Sequence, residues 1–106
     1  MLSGGQKQRV ALARTLLNDA PIMIFDDPIS QVDMHTAARI VETFRNLAGS
    51  RTLVIASHRL SAVRHADHIV VMDSGRIRSS GTHEDLMNAG GYYAKAYRLQ
   101  EREHAV

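Results

Sequence analysis

Two short, unbroken apolar runs constrain this chain more than anything else in it. They are Ile22-Met23-Ile24-Phe25 and Thr52-Leu53-Val54-Ile55-Ala56. Runs this short, without polar alternation, read as strands buried on both faces, which is the habit of parallel sheets. Between them Met34, Ala37, Val41, Phe44 and Leu47 recur at helical spacing, from a start near Asp33 to a stop at Gly49. Strand, helix, strand in that order predicts an α/β fold, with parallel strands flanked by helices.

The flanking segments extend this pattern. Ser3 is a good N-cap, and Gly4–Leu17 then reads as a helix. Val10, Ala13 and Leu17 fall on one face with Leu16 beside them, leaving Lys7, Arg9 and Arg14 for water or a ligand. Pro21 stops the helix. Ser57 to Arg64 reads as a turn and a short helix. Ile69-Val70-Val71-Met72 is a third strand, and Asp73-Ser74-Gly75 is turn chemistry that returns the chain along Arg76–Ser79. Thr82 caps a further helix with Asp85 in the capping-box position. Gly90-Gly91 breaks it, and Tyr92–Glu103 reads as a polar, exposed last helix. Two or three short parallel strands make a thin sheet, and such sheets need cover on both faces. The pattern therefore predicts that part of the cover is missing.

Composition narrows the function classes. A chain of 106 residues suffices for one small domain. No apolar run approaches the ~20 residues of a membrane-spanning helix, and the first residues lack the apolar core of a secretory signal. Without cysteine there is no disulfide framework and no thiolate metal site. The net charge is +2, with arginines and acidic residues interleaved along the chain. That is a solvated surface rather than a nucleic-acid stripe.

Three places carry chemistry. In Leu2-Ser3-Gly4-Gly5-Gln6, glycines let the backbone approach an anion, the helix N-terminus offers N–H groups and a positive dipole end, and Ser3 adds a hydroxyl. A plain Ser-Gly-Gly cap is the bland alternative. Asp26 ends a buried strand, where open α/β sheets place their ligands, and can hold the water shell of a nucleotide-bound Mg²⁺. Asp27 beside it is placed to orient water, although an Asp-Asp-Pro turn explains the same residues. His58 closes the second parallel strand and can face the same rim as Asp26. The spacing of His58, His65 and His68 fits no helical metal-ligand pair well, and His83-Glu84 lacks the second histidine of a zinc-protease motif.

Together these segments resemble the ATP-binding cassette (ABC) ATPases, a P-loop NTPase family. Leu2–Gln6 is similar to the family signature and Gln6–Arg14 to its helix. Ile22–Asp26 resembles Walker B, Ser30-Gln31-Val32-Asp33 the D-loop, and His58 in Ala56-Ser57-His58-Arg59-Leu60 the switch histidine. The stretch from Ala66-Asp67 through Gly75-Arg76-Ile77 to Gly81-Thr82-His83-Glu84-Asp85-Leu86 is similar to exporter-type cassettes, multidrug or lipid half-transporters in particular.

The resemblance implies ATP and Mg²⁺ as cofactors and a cassette dimer that sandwiches ATP between one subunit's Walker A loop and the other's signature. Ser3, Gly4, Gly5 and Gln6, with Leu2, would then grip the γ-phosphate of the neighbour's nucleotide. Asp26 would serve Mg²⁺, Asp27 would stand as general base, His58 would contact the γ-phosphate, and Asp33 would signal across the dimer. It implies work at the cytoplasmic face of a membrane with a transmembrane domain as partner, and no nucleic acid. No Gly-x-x-x-x-Gly-Lys-Ser/Thr loop occurs in the sequence. Residues 1–106 are therefore expected to be the C-terminal part of a nucleotide-binding domain, truncated or started internally at Met1, and inactive alone.

Two departures stand out. The family usually has glutamate where this chain has Asp27, one methylene shorter, so the base should be weakened, as in the degenerate site of a heterodimeric exporter. Gln31-Val32 replaces a more usual small residue in the D-loop. In the family's sheet order, the strand ending at Asp26 pairs with the one ending at Ser57, and Ile69–Met72 does not join them. A non-transport ABC ATPase, or an inactive remnant serving as a binding module, is the alternative reading.

Overall fold

The fold is taken from a computed structural model, described for residues 3–104. Helix α1 (Gly4–Leu16) starts at a reciprocal cap: the Gln6 N–H donates to Ser3 Oγ at 3.1 Å, and the Ser3 N–H donates to Gln6 Oε1 at 2.9 Å. Strand β1 (Ile22–Asp26) follows, then α2 (Met34–Leu47), capped by Asp33, then β2 (Thr52–Ala56) and a 3₁₀ turn at Leu60–Ala62. β1 and β2 pair in parallel, from Ile22 opposite Thr52 to Asp26 opposite Ala56. The expected mixed α/β unit forms.

The chain divides between Ala62 and Val63 into two compact units. The core of the first is Leu12, Met23, Phe25 and Phe44, with Leu16, Ile40, Leu53 and Ile55 against it. Two sequence expectations need correction here. First, β1 is buried on one face only: Met23 and Phe25 are buried, while Ile22 is 61 % and Ile24 70 % exposed. Both helices contribute to the core on the Met23/Phe25 side, so the continuous apolar run has cover on that side alone, as the thin-sheet reasoning anticipated. Second, α1 turns Leu12 and Leu16 inward, not Val10 and Leu17, which is 87 % exposed. In α2 Met34 is likewise exposed, whereas Ala37 and Phe44 are buried.

In the second unit β3 (Ile69–Asp73) and β4 (Arg76–Gly81) form an antiparallel hairpin. Its turn residues Ser74 and Gly75 both have positive φ, 51° and 76°, the backbone a tight two-residue hairpin turn requires. A register shift between Val71 and Met72 marks a bulge. Among the described residues β3 pairs with β4 and not with β2, as expected. Helix α3 (His83–Ala89) carries the Thr82–Asp85 capping box and ends at Gly90 in the left-handed region. Helix α4 (Tyr92–His104) is not the wholly exposed helix its polar sequence suggested: Tyr93, Ala94 and Tyr97 are buried. Three aromatic groups explain this. Tyr93 OH lies 2.8 Å from His83 Nδ1, Arg64 Nη1 donates to Tyr97 OH at 2.6 Å, and the His83 ring meets Tyr97 edge-on at 4.7 Å between centroids.

This cluster is expected to make the second unit sensitive to acid. Burial, and then the Arg64 charge, hold His83 below its ordinary value of 6.5 against the opposing pull of Glu101 and Glu84. Burial pushes Tyr93 up to about 12, so its hydroxyl keeps the proton it can donate to Nδ1. Because the folded His83 binds protons less readily than the unfolded one, its contribution to stability is full above the ordinary histidine value and declines as pH falls through it. The unfolding midpoint is therefore expected to be lower at about pH 5.5 than at about pH 7.5, and the difference to shrink in His83→Gln. Thermal unfolding of both proteins at the two pH values checks this.

Candidate functional site

A polar, open cleft of about 390 Å³ lies at the N-terminus of α1, lined by Ser3, Gly4, Gly5, Arg9, Gln31, Val32 and Asp33. The helix geometry leaves the N–H groups of its first turn without partners inside the helix. Here those of Gly4 and Gly5 sit at the cleft with the positive dipole end behind them. Ser3 Oγ already accepts from Gln6 and keeps its own proton to donate. Gln6 spends its carbonyl oxygen on the cap. Leu2 lies outside the described residues.

Gly5 is needed for contact: a Cβ there would come within 2.6 Å of the Gln31 carbonyl oxygen. A Cβ at Gly4 would run into the end of the Gln31 side chain, which could swing aside. The first turn of α1 is thus laid directly on residue 31, and at Gly5 only glycine permits it. Arg9 supplies a positive charge to the cleft and Asp33 a negative one. The Thr36 backbone N–H donates to Asp33 Oδ1 at 2.7 Å and the Thr36 hydroxyl to Oδ2 at 3.2 Å. These two bonds, the backbone one first, hold the Asp33 carboxyl below its ordinary value. Asp33 has a full structural occupation as the cap of α2.

The second group of expected residues gathers where β1 and β2 end. Asp26 stands exposed opposite Ala56, so the parallel register brings residues 26–27 beside 57–58. Asp27 adopts φ 45°, a left-handed backbone that aspartate tolerates better than most residues. It is fixed at every polar atom group: its N–H donates to the Ala56 carbonyl at 2.6 Å, and its Oδ1 accepts the His58 N–H at 3.1 Å. Its carbonyl accepts from Gln8 Nε2 at 2.6 Å and from Ser30 Oγ at 3.1 Å. The structure thus joins Asp27 to His58 and sets Asp26 beside them. It sets Ser3, Gly4, Gly5 and Asp33 around the separate cleft. No group of three or more histidine, cysteine or acidic side chains that could hold a metal occurs among the described residues. One exposed carboxylate at a strand end does fit Mg²⁺ carried in by nucleotide phosphates, because that ion keeps most of its waters.

Two residues escaped the sequence reading. Gln8 bridges α1 to the loop after β1, and Arg59 donates through Nη1 to the carbonyls of Ile29 at 2.6 Å and Val32 at 3.1 Å. A signal for Gln8 existed. It precedes Leu12 and Leu16 at successive four-residue steps, so it shares their inward face, and a polar side chain there needs partners.

Comparison with known proteins agrees with this geometry. The ABC transporter family model matches residues 1–30. An ATP-dependent lipid A-core flippase of Alkalilimnicola ehrlichii is 48% identical over 94% of this chain and 17% of the flippase. The uncharacterized ABC transporter ATP-binding protein YknU of Bacillus subtilis is 48% identical over 96% of this chain and 17% of its own length. The chain thus spans about one sixth of the curated relatives it matches. A solved bacterial Atm1-family ABC exporter with ATP bound superposes with a TM-score of 0.87 at 44% identity, over 94% of this chain and 18% of that one. Among the described residues no helix is long and apolar enough to cross a membrane. By sequence and by fold the chain matches part of an ABC transporter ATPase domain and is related to the exporter-type members of that family.

Proposed function

We propose that residues 1–106 act as the C-terminal part of a nucleotide-binding domain in an ABC exporter, where ATP binding and hydrolysis drive export. The observation that carries this reading is the cleft at the start of α1, with its glycine backbone, Ser3 hydroxyl and Arg9 charge. It is an anion grip open to a ligand held from outside. In the assembled protein Ser3, Gly4 and Gly5 bind the γ-phosphate of a nucleotide seated on a second nucleotide-binding domain. Asp26 holds Mg²⁺ through its water shell, which supplies charge neutralisation at the phosphates. His58 meets the γ-phosphate of the chain's own site, and Asp33 lies where the two cassettes communicate. A transmembrane domain places the assembly at the cytoplasmic face of the membrane. Lacking a glycine–lysine phosphate loop, residues 1–106 hold only part of each site, and no ATPase activity is expected of them alone.

The finer proposal is a heterodimer with one degenerate site. Asp27 is a methylene short of the usual glutamate, and hydrogen-bond reach governs proton abstraction. Its carboxylate is, in addition, engaged by the His58 N–H. The left-handed backbone favours aspartate over glutamate at this position, at a cost to glutamate of about 1 kcal/mol. Asp27→Asn is therefore expected to leave most ATPase activity of the assembled transporter intact, because a poor base is removed. Asp27→Glu is expected to raise turnover where the regained reach outweighs the backbone cost. Steady-state ATPase rates test both, and loss of most activity in Asp27→Asn would overturn the degenerate-site proposal.

A further inference from the structure

We propose that Gln8 is a positioning residue that fastens the phosphate cleft and the Asp27 carboxylate to one another, so that the two half-sites of this chain move as one body. The proposal rests on the ATPase reading above and adds to it a link between sites that face different nucleotides.

A single side-chain amide makes the link. Gln8 Nε2 donates to the Asp27 carbonyl at 2.6 Å and lies 3.2 Å from Ser30 Oγ, while Gln8 Oε1 accepts the Gln31 N–H at 3.1 Å. Both ends of the amide are used, and each holds a different half-site. Through Oε1 it sets Gln31, whose carbonyl and side chain form the wall pressed on Gly5 and Gly4. Through Nε2 it holds Asp27 in a left-handed backbone that persists only where its surroundings over-determine it. Asp27 in turn accepts the His58 N–H. A displacement of the α1 N-terminus by a bound phosphate therefore reaches Asp27 and His58 through one residue, along hydrogen bonds and not through the apolar core. Leu12, one helical turn further along the same face, anchors α1 in that core, so the polar link and the packing are separable.

The test uses the assembled transporter carrying Gln8→Met, which keeps the length and removes both hydrogen-bonding ends. Gln8→Glu keeps an acceptor for the Gln31 N–H but sets a carboxylate oxygen against the Asp27 carbonyl. Ser3, Gly4 and Gly5 are untouched in both, so nucleotide affinity stays while the alignment of the Gln31 wall behind the phosphate grip is lost; Asp27, a poor base, adds little to the change in rate. A fall in kcat of about tenfold with KM for ATP within about twofold is expected of each variant, with an unfolding midpoint lowered by the lost hydrogen bonds but the protein still folded at the assay temperature. A kcat within about twofold of the unsubstituted protein in both variants would overturn the proposal, as would a rise in KM at constant kcat. Should the unsubstituted assembly turn over no ATP, the ATPase reading fails and the link is read by amide exchange. Exchange at Gln31 and His58 faster by about tenfold in Gln8→Met then sustains it, and unchanged exchange at His58 overturns it.

Discussion

Ser3→Arg is expected to lower the ATPase rate of the assembled transporter by about a hundredfold, the scale on which loss of one preorganised anion donor acts. Ser3 does two jobs that must be separated. It caps α1 by accepting the Gln6 N–H, and it lines the cleft with a hydroxyl. Arginine ends both and pushes a long side chain into a space of about 390 Å³ already walled by Gln31, Val32 and Asp33. Loss of the cap alone costs about 1 kcal/mol of helix stability, which would lower the unfolding midpoint but not the chemistry. Ser3→Asp separates the two roles. Aspartate caps as well as serine but brings a negative charge to the phosphate position, so the helix should stand while the activity falls. Ser3→Thr keeps cap and hydroxyl and should retain most activity. Steady-state ATPase rates alongside unfolding midpoints for the three variants decide the matter.

Phe44→Ala is expected to destabilise the first unit by about 3–5 kcal/mol. Phe44 is 3% exposed and stacks obliquely on Phe25, with ring centroids 4.6 Å apart. The core around it is small, Leu12, Met23 and Phe25, so little can move in to fill the space. Against a total stability on the order of 5–15 kcal/mol for a typical domain, such a loss removes a large share of what holds the unit folded. Leu17→Ala is the control. Leu17 is 87 % exposed, and its truncation should shift stability by no more than about 0.5 kcal/mol. Denaturant unfolding monitored by circular dichroism measures both.

That contrast shows what the sequence could and could not reveal. Apolar runs, caps and breakers located nearly every element, because Ser3, Asp33, Thr82 and Gly90 act on the backbone within a few residues of themselves. Which face each element buries was less legible. Val10 and Leu17 share a face as plausibly as Leu12 and Leu16 do, and only the position of β1 selects between them. Tyr93 and Tyr97 looked like solvent-facing residues of a polar helix until His83 and Arg64, brought in by other segments, gave their hydroxyls partners. At the site, the residue types were readable and their occupations were not. Asp33 as helix cap, Asp27 in a left-handed backbone and Gln8 across two loops all depend on contacts between segments far apart in the chain. The Gln31 that departs from the usual small residue has a place now: it forms the wall against Gly4 and Gly5.

On the proposed function, the start of α1 grips the phosphate of a nucleotide held by another domain. A structure of the assembled protein trapped with Mg-ATP tests it most directly. Ser3 Oγ and the Gly5 N–H are expected within about 3 Å of γ-phosphate oxygens, on a nucleotide whose base and remaining phosphates are bound by the second nucleotide-binding domain. A nucleotide bound wholly within one polypeptide, with its γ-phosphate at Asp26 and His58 and the Ser3 cleft facing only solvent at both sites, would contradict it.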